Sequence, residues 1–148
     1  MRKQSELSIF LAESDDSILE CYPVISELRP HLKEEEFLQR IRKQQSQGFR
    51  LAFVRDHSSG SIVCVAGFRT GLNLAWGRFL YVDDLVTTSS ARSTGCGQAM
   101  IAWLRNLAIS EGCDQFHLDS GLQRKDAHRF YEREGLAITS YHFATPLK

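Results

Sequence analysis

Ala91-Arg92-Ser93-Thr94-Gly95-Cys96-Gly97-Gln98-Ala99 is the stretch whose reading decides the fold. Upstream, Phe79 to Thr87 is strand-like. Downstream, Gln98 to Ser110 carries Met100, Ile101, Trp103, Leu104, Leu107 and Ala108 at helical spacing, with Gly112 as a stop. Arg92–Gly97 therefore joins a strand to the start of a helix. Two glycines let such a turn tighten and let a ligand approach the backbone, and the unpaired N–H groups of a helix start attract an anion. A diphosphate is the natural guest. The turn lacks the Gly-Lys-Ser/Thr of a P-loop and the G-x-G-x-x-G of a dinucleotide site, so neither nucleotide class is indicated.

Working outward, Leu7–Ala12 reads as a first strand ended by the Ser14–Ser17 cluster, followed by helical pieces over Pro23–Leu28 and Glu34–Gln45. Glu34, Glu35 and Glu36 suit the positive end of the second helix. From Phe49 the period changes to two. A turn at Asp56–Gly60 and the apolar run Ile62–Phe68 then predict a hairpin, with Thr70–Gly77 as a loop. The strand Phe79–Thr87 carries Asp83 and Asp84 in its middle, where aspartate is a poor strand former. Strict alternation puts Tyr81, Asp83, Leu85 and Thr87 on one face and Val82, Asp84 and Val86 on the other. Beyond Gly112 come a strand at Gln115–Asp119, a short helix with Asp126 as its cap and Gly135 as its end, and a final alternating strand over Ala137–Ala144. The expected architecture is one mixed α/β domain over 1–148, a mostly antiparallel sheet flanked by helices with a parallel crossover in its second half.

The ordered set of Asp83, Arg92–Gly97 and Ala127-His128-Arg129-Phe130-Tyr131-Glu132-Arg133-Glu134-Gly135-Leu136 resembles the GCN5-related N-acetyltransferase (GNAT) superfamily. That family's acyl-CoA signature is Q/R-x-x-G-x-G/A between its fourth strand and third helix, and the later segment is similar to its A-x-x-x-Y-x-x-x-G-F element. The resemblance spans nearly the whole chain and implies a splay between the fourth and fifth strands. It also implies that Arg92, Ser93, Thr94, Gly95, Cys96 and Gly97 hold the pyrophosphate of acetyl-CoA. Leu85, Val86 and Thr87 would offer backbone groups to the pantetheine arm and thioester, and Tyr131 would stand near the CoA sulfur. Asp83 falls where similar proteins carry a carboxylate base. Alternation keeps Asp84 from sharing that job, leaving it as a substrate-charge or structural partner, and Asp119, at its strand end, either orients substrate or caps the turn at Ser120-Gly121. Arg124 replaces an asparagine that contacts the cofactor in many members, and Thr87 replaces a usual valine.

The implied activity is N-acetyl transfer from acetyl-CoA to a primary amine, small molecule or peptide, by direct attack in a ternary complex. A non-catalytic CoA-binding module and a longer acyl donor are the competing expectations. His117 reads as a structural imidazole, His128 as a surface residue and Cys96 as a spacer without a neighbouring base.

Composition narrows the partners. Eighteen Lys and Arg balance eighteen Asp and Glu, which argues against a nucleic-acid wrap. The halves differ: through Gln47 the net charge is −2, and from Gly48 onward it is +2. No apolar stretch reaches the roughly 18 residues of a membrane span. Cys21, Cys64, Cys96 and Cys113 form no C-x-x-C pair and no metal spacing. These features predict reduced thiols, no metal, no membrane or nucleic-acid partner and a cytoplasmic protein, with homodimerisation left open.

Overall fold

The computed structural model describes residues 7–92 and 94–148. Its elements run β1 (Leu7–Leu11), α1 (Asp15–Glu20), α2 (Tyr22–Leu28), α3 (Glu34–Gln45), β2 (Arg50–Asp56), β3 (Ile62–Asn73), β4 (Gly77–Thr87), a 3₁₀ turn (Ser89–Ala91), α4 (Cys96–Ser110), β5 (Gln115–Leu118) and α5 (Lys125–Arg133). The chain divides into two compact units, Met1–His117 and Leu118–Lys148.

In the first unit an open sheet is ordered β1-β2-β3-β4-β5. The ladders joining β1 to β2, β2 to β3 and β3 to β4 are all antiparallel. β5 follows a helical crossover, the connection that parallel neighbours need. It meets β4 through the Asp114 N–H, which donates to the Arg78 carbonyl at 2.6 Å. That contact lies at the opposite end of β4 from Leu85, Val86 and Thr87.

Helices cover both faces of the sheet. Ile18, Val24, Ile25, Phe37 and Ile41 from α1–α3 pack with Phe49, Leu51, Phe53, Val65 and Val86. On the other face, Phe68 meets Trp103 of α4 edge-on, with ring centroids 6.2 Å apart. Helices of six and seven residues are too short to stand alone in water. Burial of side chains such as Ile18 and Ile25, each contributing about 1.5–3 kcal/mol, holds α1 and α2.

Four expectations change. The Ser14–Ser17 cluster starts a helix as well as ending a strand: the Ser14 side chain accepts from the Ser17 N–H and caps α1. Thr70–Asn73 belongs to β3, because the hairpin turn is shorter than expected. There the Asn73 Oδ1 accepts the Trp76 N–H at 2.6 Å, and the Trp76 ring packs on Phe79 and stacks on His117. The cap of α5 is Arg124, and Asp126 lies in its first turn paired with Arg129. Residues 137–144 form no strand. Ile138, Tyr141 and Phe143 are all exposed; alternation only permits a strand, and a ladder partner and a covered face are what hold one.

Candidate active site

The site is built around a break in the β3–β4 ladder. Phe68 pairs with Val82 and Gly67 with Asp84, so Asp83 is the extra residue of a β-bulge. Before the bulge, Tyr81 pairs with Arg69 across the strands. After it, Val86 packs into the α1–α3 cluster. The inserted residue absorbs one step of alternation. Asp83 and Asp84 therefore both present their carboxyl groups on the α1–α3 face, contrary to the opposite faces that strict alternation predicts.

Each carboxylate has an arginine. Arg29, the residue that ends α2, donates from Nε to Asp84 Oδ1 at 3.0 Å and from Nη2 to the Asp83 carbonyl at 3.1 Å. Arg69 donates from Nε to Asp83, 3.1 Å from Oδ2, and its guanidinium lies over the Tyr81 ring at 4.9 Å. The Asp84 side chain is 18% exposed and that of Asp83 26%. Burial pushes the Asp84 carboxyl above its ordinary value; the bond from Arg29 pulls it down, and the Asp83 charge pushes it up again.

Gly67 makes room for Asp84. A Cβ at Gly67 would sit 2.4 Å from the Phe49 ring and 2.7 Å from Asp84 Oδ2. Sequence reading passed over Gly67, Arg29 and Arg69. A glycine inside an apolar strand was the available signal, since it flags a bulge or a close approach.

Past Thr87, which pairs with the buried Cys64 across the β3–β4 ladder, the chain turns into the Arg92–Gly97 segment. Glu27 of α2 holds the start of this turn, accepting from the Thr88 hydroxyl at 2.5 Å and the Ser89 N–H at 3.0 Å. Arg92 is exposed, with a long 3.5 Å contact from Nε to the Thr87 carbonyl. The Thr94 hydroxyl donates to the Ala91 carbonyl and lies 3.1 Å from Cys96 Sγ. Gly95 caps α4 at φ +90, a conformation glycine adopts without the Cβ penalty, and among the described residues no side chain bonds the helix N-terminus there. Cys96 and Gly97 open the helix, with Cys96 buried. Ser93 lies outside the described residues. An uncapped N-terminus of a 15-residue helix beside open space at Gly95 fits a phosphate group.

In the second unit, Arg124 starts α5, and the Tyr131 ring lies 5.3 Å from that of Phe130. His128 Nε2 donates to the Gly121 carbonyl at 2.8 Å. Asp119 stands 3.9 Å from His142 Nδ1. Among the described residues no group of three or more His, Cys, Asp or Glu could hold a metal, and no helix is long and apolar enough to cross a membrane.

With this geometry in place, the acetyltransferase (GNAT) family model matches residues 11–136. The chain belongs to the GNAT family. It is 37% identical over 136 residues to the uncharacterized N-acetyltransferase YhdJ of Bacillus subtilis (strain 168), covering 90% of this chain and 94% of that protein. A shorter similarity, 32% over 66 residues, links 45% of this chain to 43% of an aminoalkylphosphonate N-acetyltransferase of Salmonella typhimurium. Among solved structures, the aminoglycoside N-acetyltransferase AAC(6')-Iy in complex with CoA superposes with a TM-score of 0.80 at 12% identity, over 95% of this chain and 93% of that one. That likeness is one of fold.

Proposed function

We propose that this GNAT protein is an acetyl-CoA-dependent N-acetyltransferase acting on a primary amine by direct attack in a ternary complex. The observation that carries the reading is the pairing, on consecutive segments, of a half-buried carboxylate at the β4 bulge with a helix N-terminus at Gly95 that no described side chain caps. The acceptors named for similar proteins, an aminoalkylphosphonate and an aminoglycoside, are amines, which supports an amine here.

In this reading the N–H groups of Cys96 and Gly97 bind the CoA pyrophosphate, with Gly95 keeping the backbone close and Arg92 and Thr94 lining the turn. Leu85, Val86 and Thr87 orient the acyl arm along the edge of β4, and Arg124 meets the nucleotide end. Bound acetyl-CoA supplies an activated thioester. No metal is needed.

Freeing a lysine-like amine, pKa about 10.4, at pH 7 costs about 5 kcal/mol. A carboxylate that accepts that proton, directly or through water, is therefore useful. The sequence favours Asp83 for this role and Asp84 as a substrate-charge or structural partner. The bulge supports the reverse assignment: Asp83 has both oxygens near Arg69, whereas burial raises the basicity of Asp84. Asp84 accepts the ammonium proton, directly or through water, and Asp83 steadies Arg69. Tyr131 donates a hydrogen bond to the leaving sulfur. Full transfer from a phenol, pKa near 10, to a thiolate, near 8.5, would run uphill by about 2 kcal/mol, so hydrogen bonding is the cheaper role. Asp119 orients the acceptor. These roles require the two compact units to work as one acetyltransferase domain. Four free cysteines, with burial holding the thiols of Cys21 and Cys64 up to about 12, suit the reducing cytosol.

Thiol release measured over a panel of amines, alongside calorimetry with acetyl-CoA, tests the reading. Acetylation of any amine, lost in Asp84→Asn, is expected. Acetyl-CoA binding with no turnover would reduce the protein to a CoA-binding module, and no binding at millimolar ligand would end both ideas.

A further inference from the structure

The two arginines at the bulge have more donors than their carboxylates use. Arg69 spends only Nε on Asp83, and Arg29 spends Nε and Nη2 on Asp84 and the Asp83 carbonyl. Among the described residues, both Nη groups of Arg69 and the Nη1 of Arg29 have no hydrogen-bond acceptor. These side chains are also the more solvent-exposed members of their pairs, 49% and 41% for Arg69 and Arg29. The carboxylates sit in and the guanidinium groups stand out. Tyr81 beneath Arg69 holds the fork as a platform.

An acceptor reaching Asp84 therefore passes arginine donors first. A diamine or polyamine would bring a second positive charge against Arg69 and Arg29. An amine that also carries an anionic group would match both signs, its ammonium toward Asp84 and its anion on the guanidinium fork, whose planar donors suit carboxylate and phosphate oxygens. The four side chains together are neutral, so a zwitterion enters without leaving an uncompensated charge.

We infer that the acceptor is an amine bearing a carboxylate, phosphate or phosphonate a few bonds from its nitrogen, and that Arg69, assisted by Arg29, selects it. This rests on the acetyltransferase reading above and names the substrate class of the same site.

The test compares acceptors of similar size at fixed acetyl-CoA: β-alanine and O-phosphoethanolamine as anionic arms, propylamine as the neutral arm and 1,3-diaminopropane as the cationic arm. The anionic amines should show kcat/KM at least 10-fold above propylamine, and their ranking separates carboxylate from phosphate recognition. In Arg69→Gln the ratio of anionic to neutral kcat/KM should fall toward one, mainly through KM of the acceptor, and Arg69→Lys should restore part of it. Equal or better turnover of the diamine overturns the inference and leaves the acetyltransferase reading standing. An unchanged ratio in Arg69→Gln, with melting showing a folded protein, overturns it as well. If no amine of any class is acetylated, both fall together. The wild-type panel decides the question even where the variant does not fold.

Discussion

Asp84 Oδ2 lies where a side chain on Gly67 would have to be, 2.7 Å from the Cβ that residue lacks. The carboxylate occupies the space of a missing methyl group, walled on the other side by Phe49. Gly67→Ala would force the Phe49 ring and the carboxyl aside together. Overpacking of this kind costs about 1–3 kcal/mol, and each kcal/mol lowers the melting temperature of a chain near this size by a few degrees. Calorimetry should show that loss, and kcat should fall beyond it because Asp84 is displaced. An alanine variant as stable and active as the parent would show that the pocket is slack.

Asp84 and Arg29 set the pH dependence. Burial raises the Asp84 carboxyl, so the folded state holds its proton more tightly than an unfolded chain near 3.9. Its contribution to stability is thus fully present below the unfolded pKa and is lost as pH rises through the raised folded value. Activity has the opposite need. kcat/KM should rise with pH as Asp84 ionises, and Asp84→Asn should lower kcat about 10²–10⁴-fold. Arg29→Gln removes the group that pulls the carboxyl down, so the acid limb measured with propylamine should move to higher pH. A limb that stays in place would exclude Asp84 as the titrating group.

At Gly95 the strain is in the backbone alone, since φ is +90 and a built Cβ meets nothing within 4 Å. Gly95→Val should cost about 1–2 kcal/mol and Gly95→Asn less, because asparagine tolerates the left-handed region. If the turn holds the pyrophosphate, KM for acetyl-CoA should rise in the same order, by about tenfold for valine, a loss of some 1.4 kcal/mol. A change in the acceptor KM instead would move the cofactor elsewhere.

Glu111, at the end of α4, receives a two-pronged bond from Arg50 of β2, at 2.7 and 2.8 Å. The bond from Arg50 holds the Glu111 carboxyl below its usual range. A lowered pKa stabilises above the unfolded value, near 4.3, and the benefit disappears as pH falls through the folded one. Glu111→Gln should therefore destabilise by about 1 kcal/mol at pH 7, the upper end for a pair partly in solvent. Urea midpoints of parent and variant should converge as the pH falls below the ordinary carboxylate range. A constant gap would assign the effect to packing.

Apart from α1, the sequence by itself determined the order of elements through α5, the hairpin of β2 and β3, and the strand–turn–helix unit at Arg92–Gly97. Each depends on neighbours within a few residues: apolar spacing, a glycine at a turn, acidic residues at a helix start. The same local reading placed Asp83 and Asp84 on β4. It could not place them on one face, because a bulge is a property of the pairing between β3 and β4 and leaves no period in either strand. Nor could it bring Arg29 and Arg69, which lie 55 and 14 residues from their carboxylates in sequence, to the bulge. The alternating tail shows the converse. Its pattern permits a strand over Ala137–Ala144, yet a strand exists only where another supplies its hydrogen bonds. Tertiary structure decided which aspartate lies deeper, which arginine meets it and where alternation breaks, because burial and charge pairing act between segments that sequence distance keeps apart.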